Sequence, residues 1–226
     1  MPKQDNLIFN TCRQSGDHGP INSWDRQPFL TDVRNGPGGA PSYDAALTDI
    51  SSNFVIANYG ASQGVDNDDG SSWYDIHDNF FFDAEGLKQD FGGHDSRYHH
   101  NVNYVVKYDG QQCLNSWPFV PGHQHHFHDN KCVVSFDDDA LRISGLDCDD
   151  PMASAGIIDV LYNNSYYTPN GSATANDCKI TVAQMSANGS TIEQGSSMHF
   201  LPTDEVLFGW AREKLGMPPA ENRGAS

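Results

Sequence analysis

The chain has 226 residues, 37% hydrophobic and 11% aromatic, enough apolar material for one domain with a sizeable core and too much for a disordered segment. Thirty acidic against thirteen basic residues leave a formal charge of −17, which repels nucleic acid and anionic membrane surfaces and excludes both as expected partners. No apolar run approaches the roughly 18 residues of a membrane span.

The first residues, MPKQDNLIFN, lack the pattern of a signal peptide and pass almost at once into a strand-like run, so a trimmed N-terminus is expected. Glycine, proline, Asn, Asp and Ser are dense throughout, which points to a turn-rich, mostly β chain. Within it an apolar residue, two intervening residues and an Asn recur. The frame reads Leu7-Ile8-Phe9-Asn10, Val55-Ile56-Ala57-Asn58, Ile76-His77-Asp78-Asn79, Tyr98-His99-His100-Asn101, Phe127-His128-Asp129-Asn130 and Leu161-Tyr162-Asn163-Asn164.

The Asn-to-Asn steps are 48, 21, 22, 29 and 34, and a step near 21 is one turn of a solenoid built from short strands and bends. A recurring Asn suits a tight bend, because its carboxamide can bond the equivalent backbone group on the next coil. The long first step fits a coil with a loop, since residues 35–41 (NGPGGAP) are almost all glycine and proline. Leucine-rich repeats need a Leu-x-x-Leu-x-Leu frame that is missing, and propeller blades need a period of about 40 to 50 residues.

These Asn-ended coils, with GDHG, NDDGS and GLKQDFGGH in their loops, resemble right-handed parallel β-helix proteins of the pectin-lyase-like superfamily over roughly residues 5–200. The resemblance implies an all-β solenoid acting on polysaccharide. The superfamily includes lyases, glycoside hydrolases, uronate epimerases and proteins with no known reaction, and the chain lacks the complete catalytic signature of any one enzyme family.

After Asn130 the coils lose regularity, and residues 132–136, 140–143, 156–161 and 179–182 read as strands. Residues 204–215 read as a helix, with early acids, late bases, Gly216 at the stop and Pro218 beyond. Val206, Leu207, Trp210, Ala211 and Leu215 share one face of it, so it is expected to cap the solenoid. The expected organisation is a β-helix over 1–202, a capping helix over 203–217 and a loose tail over 218–226.

Residues at equal distances from the Asn become neighbours on coils about 4.8 Å apart. Counting from Asn58 and Asn79 stacks Asp69 on Asp90, with Lys88 beside them. Two close carboxylates suit the acid and base or nucleophile of glycoside hydrolysis. With Lys88 as base or carboxylate contact they also suit uronate chemistry. Asp66 and Asp68 are candidate calcium ligands, although Asp66-x-Asp68-x-Gly70 is not an EF-hand loop.

The loop over residues 16–26 carries His18 with Trp24, Asp25 and Arg26, an aromatic and polar set that suits stacking on a sugar and contacting its hydroxyls. His94 and His123 are auxiliary candidates, whereas His77, His99 and His128 are expected as a surface ladder.

Five cysteines show no zinc spacing, and Cys12 and Cys132 take inward positions as expected buried thiols. Sequons at Asn163, Asn170 and Asn188 permit glycosylation of a secreted chain. The expected function is binding and cleavage of a polysaccharide, by lyase or hydrolase chemistry, by an extracellular or cell-surface monomer. The alternative is a non-catalytic carbohydrate-binding or surface structural protein.

Overall fold

The computed structural model describes residues 3–14, 16–24, 46–58, 63–84, 86–106, 112–117, 122–137, 139–176, 179–187 and 190–219. Asp25, Arg26, Cys178, Asn188 and the 35–41 loop lie outside the described residues. The chain passes in turn through three sheets and returns to the first, each strand pairing with its equivalents one coil before and after. This is a right-handed parallel β-helix with a short C-terminal α-helix, as the repeat implies.

The first sheet holds Lys3–Gln4, Thr48–Ser51, Tyr74–His77, Arg97–His99, His126–His128 and Val160–Tyr162. The second holds Leu7–Thr11, Phe54–Asn58, Phe80–Phe82, Val102–Val105, Lys131–Val134, Ser165–Thr168 and Ser197–Phe200. The third holds Ile21–Ser23, Val65–Asn67, Leu87–Gln89, Leu114–Ser116, Leu141–Ile143, Thr174–Ala175 and Ile180–Thr181. Among the described residues only the last pair in the third sheet is antiparallel.

Strands this short are held by columns of inward side chains. Ile50, Ile76, Tyr98, Phe127 and Leu161 stack in register on the first sheet, and Val65, Leu87, Leu114, Leu141 and Ala175 on the third, all buried. Burial of each large member contributes about 1.5–3 kcal/mol.

The Asn ladder is present, but its first rungs are Asn6 and Asn53, and Asn10 and Asn58 stand outside it. Asn53 donates its backbone and side-chain N–H groups to Asn79 Oδ1, at 2.9 Å each. Asn79, Asn101 and Asn130 repeat this toward Asn101, Asn130 and Asn164. The reason for the shift is the register: Phe54 pairs with Phe80, so Asn53 and Asn79 share a level. The bend itself falls on the residue before each rung, where Asp5, Ser52, Asp78, His100, Asp129 and Asn163 have φ between 53° and 55°.

Cys132 is buried as expected but is no thiol: it forms a disulfide with Cys113, 19 residues away in sequence. Cys113 stands just before Leu114–Ser116 on the third sheet and Cys132 lies within Lys131–Val134 on the second, so the bond joins the walls of two successive coils through the core. Residues 156–159, expected to be strand, form a turn that leads into Val160–Tyr162.

The core at the end of the last coil is filled by α1 (Val182–Met185), whose Val182 and Met185 are buried. Helix α2 (Asp204–Lys214) carries acids in its first turn and bases in its last, and reaches back from the C-terminal end along the flank of the solenoid. Trp210 lies 5.2 Å from the Tyr167 ring and beneath the Lys131 ammonium, and Lys214 Nζ lies 2.7 Å from Asp78 Oδ1. Of the five apolar positions on its face, only Leu207 is buried.

Candidate functional site

The outer face of the third sheet carries the chemistry. Its outward column runs Asn22, Asp66, Lys88, Asn115 and Arg142, in strict register. One residue past Asn22 and its equivalents, Ser23, Asn67, Gln89 and Ser116 end the strands, and the residues that follow are Trp24, Asp68, Asp90 and Trp117. Three backbone bonds hold this last set level: Asp68 N to Ser23 O at 2.8 Å, Asp90 N to Asn67 O at 3.0 Å, and Trp117 N to Gln89 O at 3.1 Å. An aromatic, two acids and an aromatic therefore run parallel to the solenoid axis at coil spacing.

Both acids open the same tight turn. Ser71 N donates to Asp68 O and Gly93 N donates to Asp90 O. The third residue of each turn is a glycine at positive φ, 78° at Gly70 and 72° at Gly92, a conformation that disfavours a side chain.

Lys88 stands between the acids, its Nζ 3.0 Å from Asp66 Oδ1, 3.0 Å from Asp90 Oδ2 and 3.6 Å from Asp68 Oδ1. Burial pulls the pKa of the ammonium down, but the hydrogen bonds it donates to Asp66 and Asp90, with the charges of those carboxylates, outweigh burial and raise it. Lys88 is thus a fixed positive charge at neutral pH.

Asp66 is fully buried and fully engaged: its Oδ2 accepts from Gly19 N at 3.2 Å and Asn22 Nδ2 at 2.9 Å. Gly19 permits this approach, because a Cβ there would stand 2.2 Å from the Gln63 carbonyl oxygen.

Asp69 is brought to the same place by its turn. Asp68, Asp69 and Asp90 each offer an oxygen within 4.8 Å of the others. An open cleft of about 590 Å³ lies beside them, lined by Asp17, His18, Asn22, Trp24, Asp68 and Asp69. Trp24 is 64% exposed, so its ring is available to a ligand. At the other end Phe91 and Trp117 have ring centroids 5.0 Å apart, with the Arg142 guanidinium over Trp117.

Most of the expected residues therefore converge: His18, Trp24, Asp68, Asp69, Lys88 and Asp90 share this face. Three details differ. Asp68, not Asp69, is level with Asp90: Asp68 stands 15 residues after its rung Asn53 and Asp90 only 11 after Asn79, so coils of unequal length displace the match expected from equal spacing. Asp66 is not a member of the carboxylate group that could hold a cation, because it lies beneath Lys88 with both oxygens engaged. His94 and His123 form a separate cluster, with both Nδ1 atoms on Asp95 Oδ2, at 2.7 and 2.8 Å.

Asp17, Phe91, Asp95, Trp117 and Arg142 also stand in these clusters and are not among the residues expected from the sequence. Trp117 and Arg142 stand 27 residues after Asp90 and Asn115, a step that matches neither rung spacing on those coils (22 and 29), so equal spacing from the rungs does not reach them.

On the first sheet His77, His99 and His128 form the expected ladder, stacked at 5.0 Å and ending on Tyr162. His125 faces inward. Burial pushes its imidazole down to about 3, and its Nδ1 accepts the Ser96 N–H at 3.2 Å.

Comparison with protein-family models, curated proteins and solved structures finds no match. The fold and the site define the class: a right-handed parallel β-helix, of the architecture used by polysaccharide-active proteins, with an acidic cleft on one sheet and two groups of Asp and His side chains able to coordinate a divalent ion. Among the described residues no helix is long and apolar enough to cross a membrane.

Proposed function

We propose that the third-sheet face binds a glycan along the solenoid axis and hydrolyses it, with Asp69 and Asp90 as the carboxylate pair. The observation that carries this reading is the aligned set Trp24, Asp68, Asp90 and Trp117, with Lys88 fixed among the acids. Aromatic rings at both ends suit stacking on sugar faces, and paired carboxyls between them suit attack on a glycosidic bond.

Asp90, oriented by Lys88 and by the Phe91 N–H at 2.8 Å, is the nucleophile, and Asp69 is the acid. Their closest oxygens are within 4.8 Å, nearer the roughly 5 Å of retaining enzymes than the wider gap that admits a water in inverting ones. Hydrolysis is favoured over the lyase reaction because Lys88, with its raised pKa, serves as a charge contact and not as a base. His18 lies at the rim, where it contacts bound sugar.

Calcium at Asp68, Asp69 and Asp90 belongs to the same proposal as a competitor of Lys88, whose single ammonium already pairs with Asp68 and Asp90. The Cys113–Cys132 disulfide supports an extracellular or cell-surface setting.

The test is an assay on neutral, amino and uronic polysaccharides, with and without EDTA, reading reducing ends and absorbance at 235 nm. New reducing ends without absorbance, lost in Asp69→Asn and Asp90→Asn, support the proposal. Absorbance would replace hydrolysis by elimination, and binding with no product from wild type would leave a non-catalytic carbohydrate-binding protein.

A further inference from the structure

His94, Asp95 and His123 come together from consecutive coils at the corner between the first and third sheets. His94 Nδ1 and His123 Nδ1 stand 2.7 and 2.8 Å from the same oxygen, Asp95 Oδ2. The His94 side chain is 3% exposed, His123 17% and Asp95 23%, so the cluster is sheltered yet open on the Asp95 side. We propose that these three residues bind one divalent transition-metal ion of the zinc type and leave a coordination position open.

Ligand chemistry supports this class of ion. Two imidazoles and one carboxylate are borderline donors that suit Zn²⁺ and its first-row neighbours, whereas Ca²⁺ and Mg²⁺ favour all-oxygen sets such as the acids of the cleft. With metal–ligand bonds of about 2.0–2.2 Å and tetrahedral angles, neighbouring donors around an ion lie roughly 3.3–3.6 Å apart. The donors here, at 2.7 and 2.8 Å, are closer than that because hydrogen bonds now join them. An ion that replaces those hydrogen bonds requires the donors to separate by roughly 0.5–0.9 Å, which ring rotation about the His side-chain bonds supplies.

The supports of the cluster are already in place. His94 meets the Trp73 ring edge-on at 5.9 Å, and its backbone N–H donates to Ser72 Oγ at 3.2 Å. His123 is carried on a segment pinned just beyond it, where Gln124 Nε2 donates to the Ile158 carbonyl and buried His125 accepts from Ser96. Such outer contacts fix ring orientation before any ion arrives. Three protein ligands with a free position are the arrangement of a reactive zinc site, in contrast to a closed structural one. The inference does not rest on the glycan reading, since none of these side chains is in that cleft's carboxylate pair.

The experiment is titration of the full chain with Zn²⁺ by calorimetry, and with Co²⁺ by visible absorption. His99→Gln/His128→Gln serves as a control for adventitious binding to the histidine ladder. One equivalent should bind in wild type and in the ladder variant, with a Co²⁺ spectrum of a nitrogen and oxygen site. Asp95→Asn and His123→Gln should weaken that binding by more than about a hundredfold, beyond the 10- to 100-fold typical of outer contacts, with unchanged circular dichroism. Partly exposed His123 makes its variant the one least prone to misfold, and metal affinity is read on it first. Binding that survives in His123→Gln, or that disappears in the ladder variant, overturns the assignment, as does the absence of a one-equivalent phase in wild type.

Discussion

Lys88 Nζ stands 3.0 Å from Asp66 Oδ1, and the Asp66 side chain has no exposed surface. A carboxylate so placed depends on its partners, because an unpaired buried charge is far more costly than a paired one. Lys88→Met removes the ammonium and leaves Asp66 and Asp90 facing each other. It should lower unfolding stability by about 3–5 kcal/mol, read from denaturant midpoints at pH 7. Asp66→Asn added to it should recover part of the loss by coupling. The pH dependence has a definite sign. The Lys88 pKa is raised in the fold, so its contribution is complete below the ordinary lysine value of 10.5 and is lost as pH climbs through the folded value. A Lys88→Met protein within about 1 kcal/mol of wild type would show that the ammonium is not what holds these carboxylates in place.

The ladder gives a second prediction. Asn101 Oδ1 accepts two bonds from Asn79, and Asn101 Nδ2 donates to the Ile76 carbonyl and to Asn130. Asn101→Ala leaves several of these buried groups unpaired, at about 1–3 kcal/mol each, so a loss of roughly 3–5 kcal/mol is expected. Asn10 is exposed, stands outside the ladder and has φ 54°. Asn10→Gly should therefore change stability by less than about 0.5 kcal/mol. Equal effects at the two positions would contradict the register.

This pair of residues also shows what the sequence could and could not reveal. The repeated apolar-x-x-Asn frame is legible because every rung needs the same carboxamide, and from Asn79 onward frame and rungs coincide. Residues 50–53 carry the same spacing, Ile50-Ser51-Ser52-Asn53, but Val55-Ile56-Ala57-Asn58 offers a stronger-looking apolar run only five residues later. Strand pairing decides between them, and pairing is a long-range property. The site was legible to the same extent. Lys88 and Asp90 were placed from local spacing, whereas Trp117 and Asp95 depend on coils of 27 and 29 residues whose loops no local count can align.

The aromatic ends of the cleft can be tested apart from its acids. Trp24→Ala removes a ring that is 64% exposed and should leave stability unchanged. Trp117→Ala removes the ring packed between Phe91 and Arg142. Each should weaken binding of a glycan oligomer by roughly tenfold, about 1.4 kcal/mol, in calorimetric titrations. If the cleft runs along the axis, long oligomers should lose affinity in both variants, and a disaccharide in only one. Affinity untouched by either change would move the glycan to another face.

Asp159 lies inside the solenoid, 2% exposed, with its Oδ2 accepting from Ser116 Oγ at 2.6 Å. Burial pushes its carboxyl up to about 7, against which the Ser116 and His125 hydrogen bonds act only in part. In the unfolded chain the same carboxyl titrates near 3.8. Between those values the native state holds a proton that the unfolded state has lost, so stability from this group declines as pH rises from about 4 to 7 and is level above. At 1.36 kcal/mol per pKa unit the full difference is on the order of 4 kcal/mol. Asp159→Asn keeps one oxygen for Ser116 and cannot ionise. The variant should therefore gain on wild type as pH increases, reaching its largest advantage by pH 8, with near-parity or a small deficit at pH 4.5. Denaturant midpoints of the two proteins across that range measure the difference directly, and two parallel curves would show that Asp159 is ionised throughout.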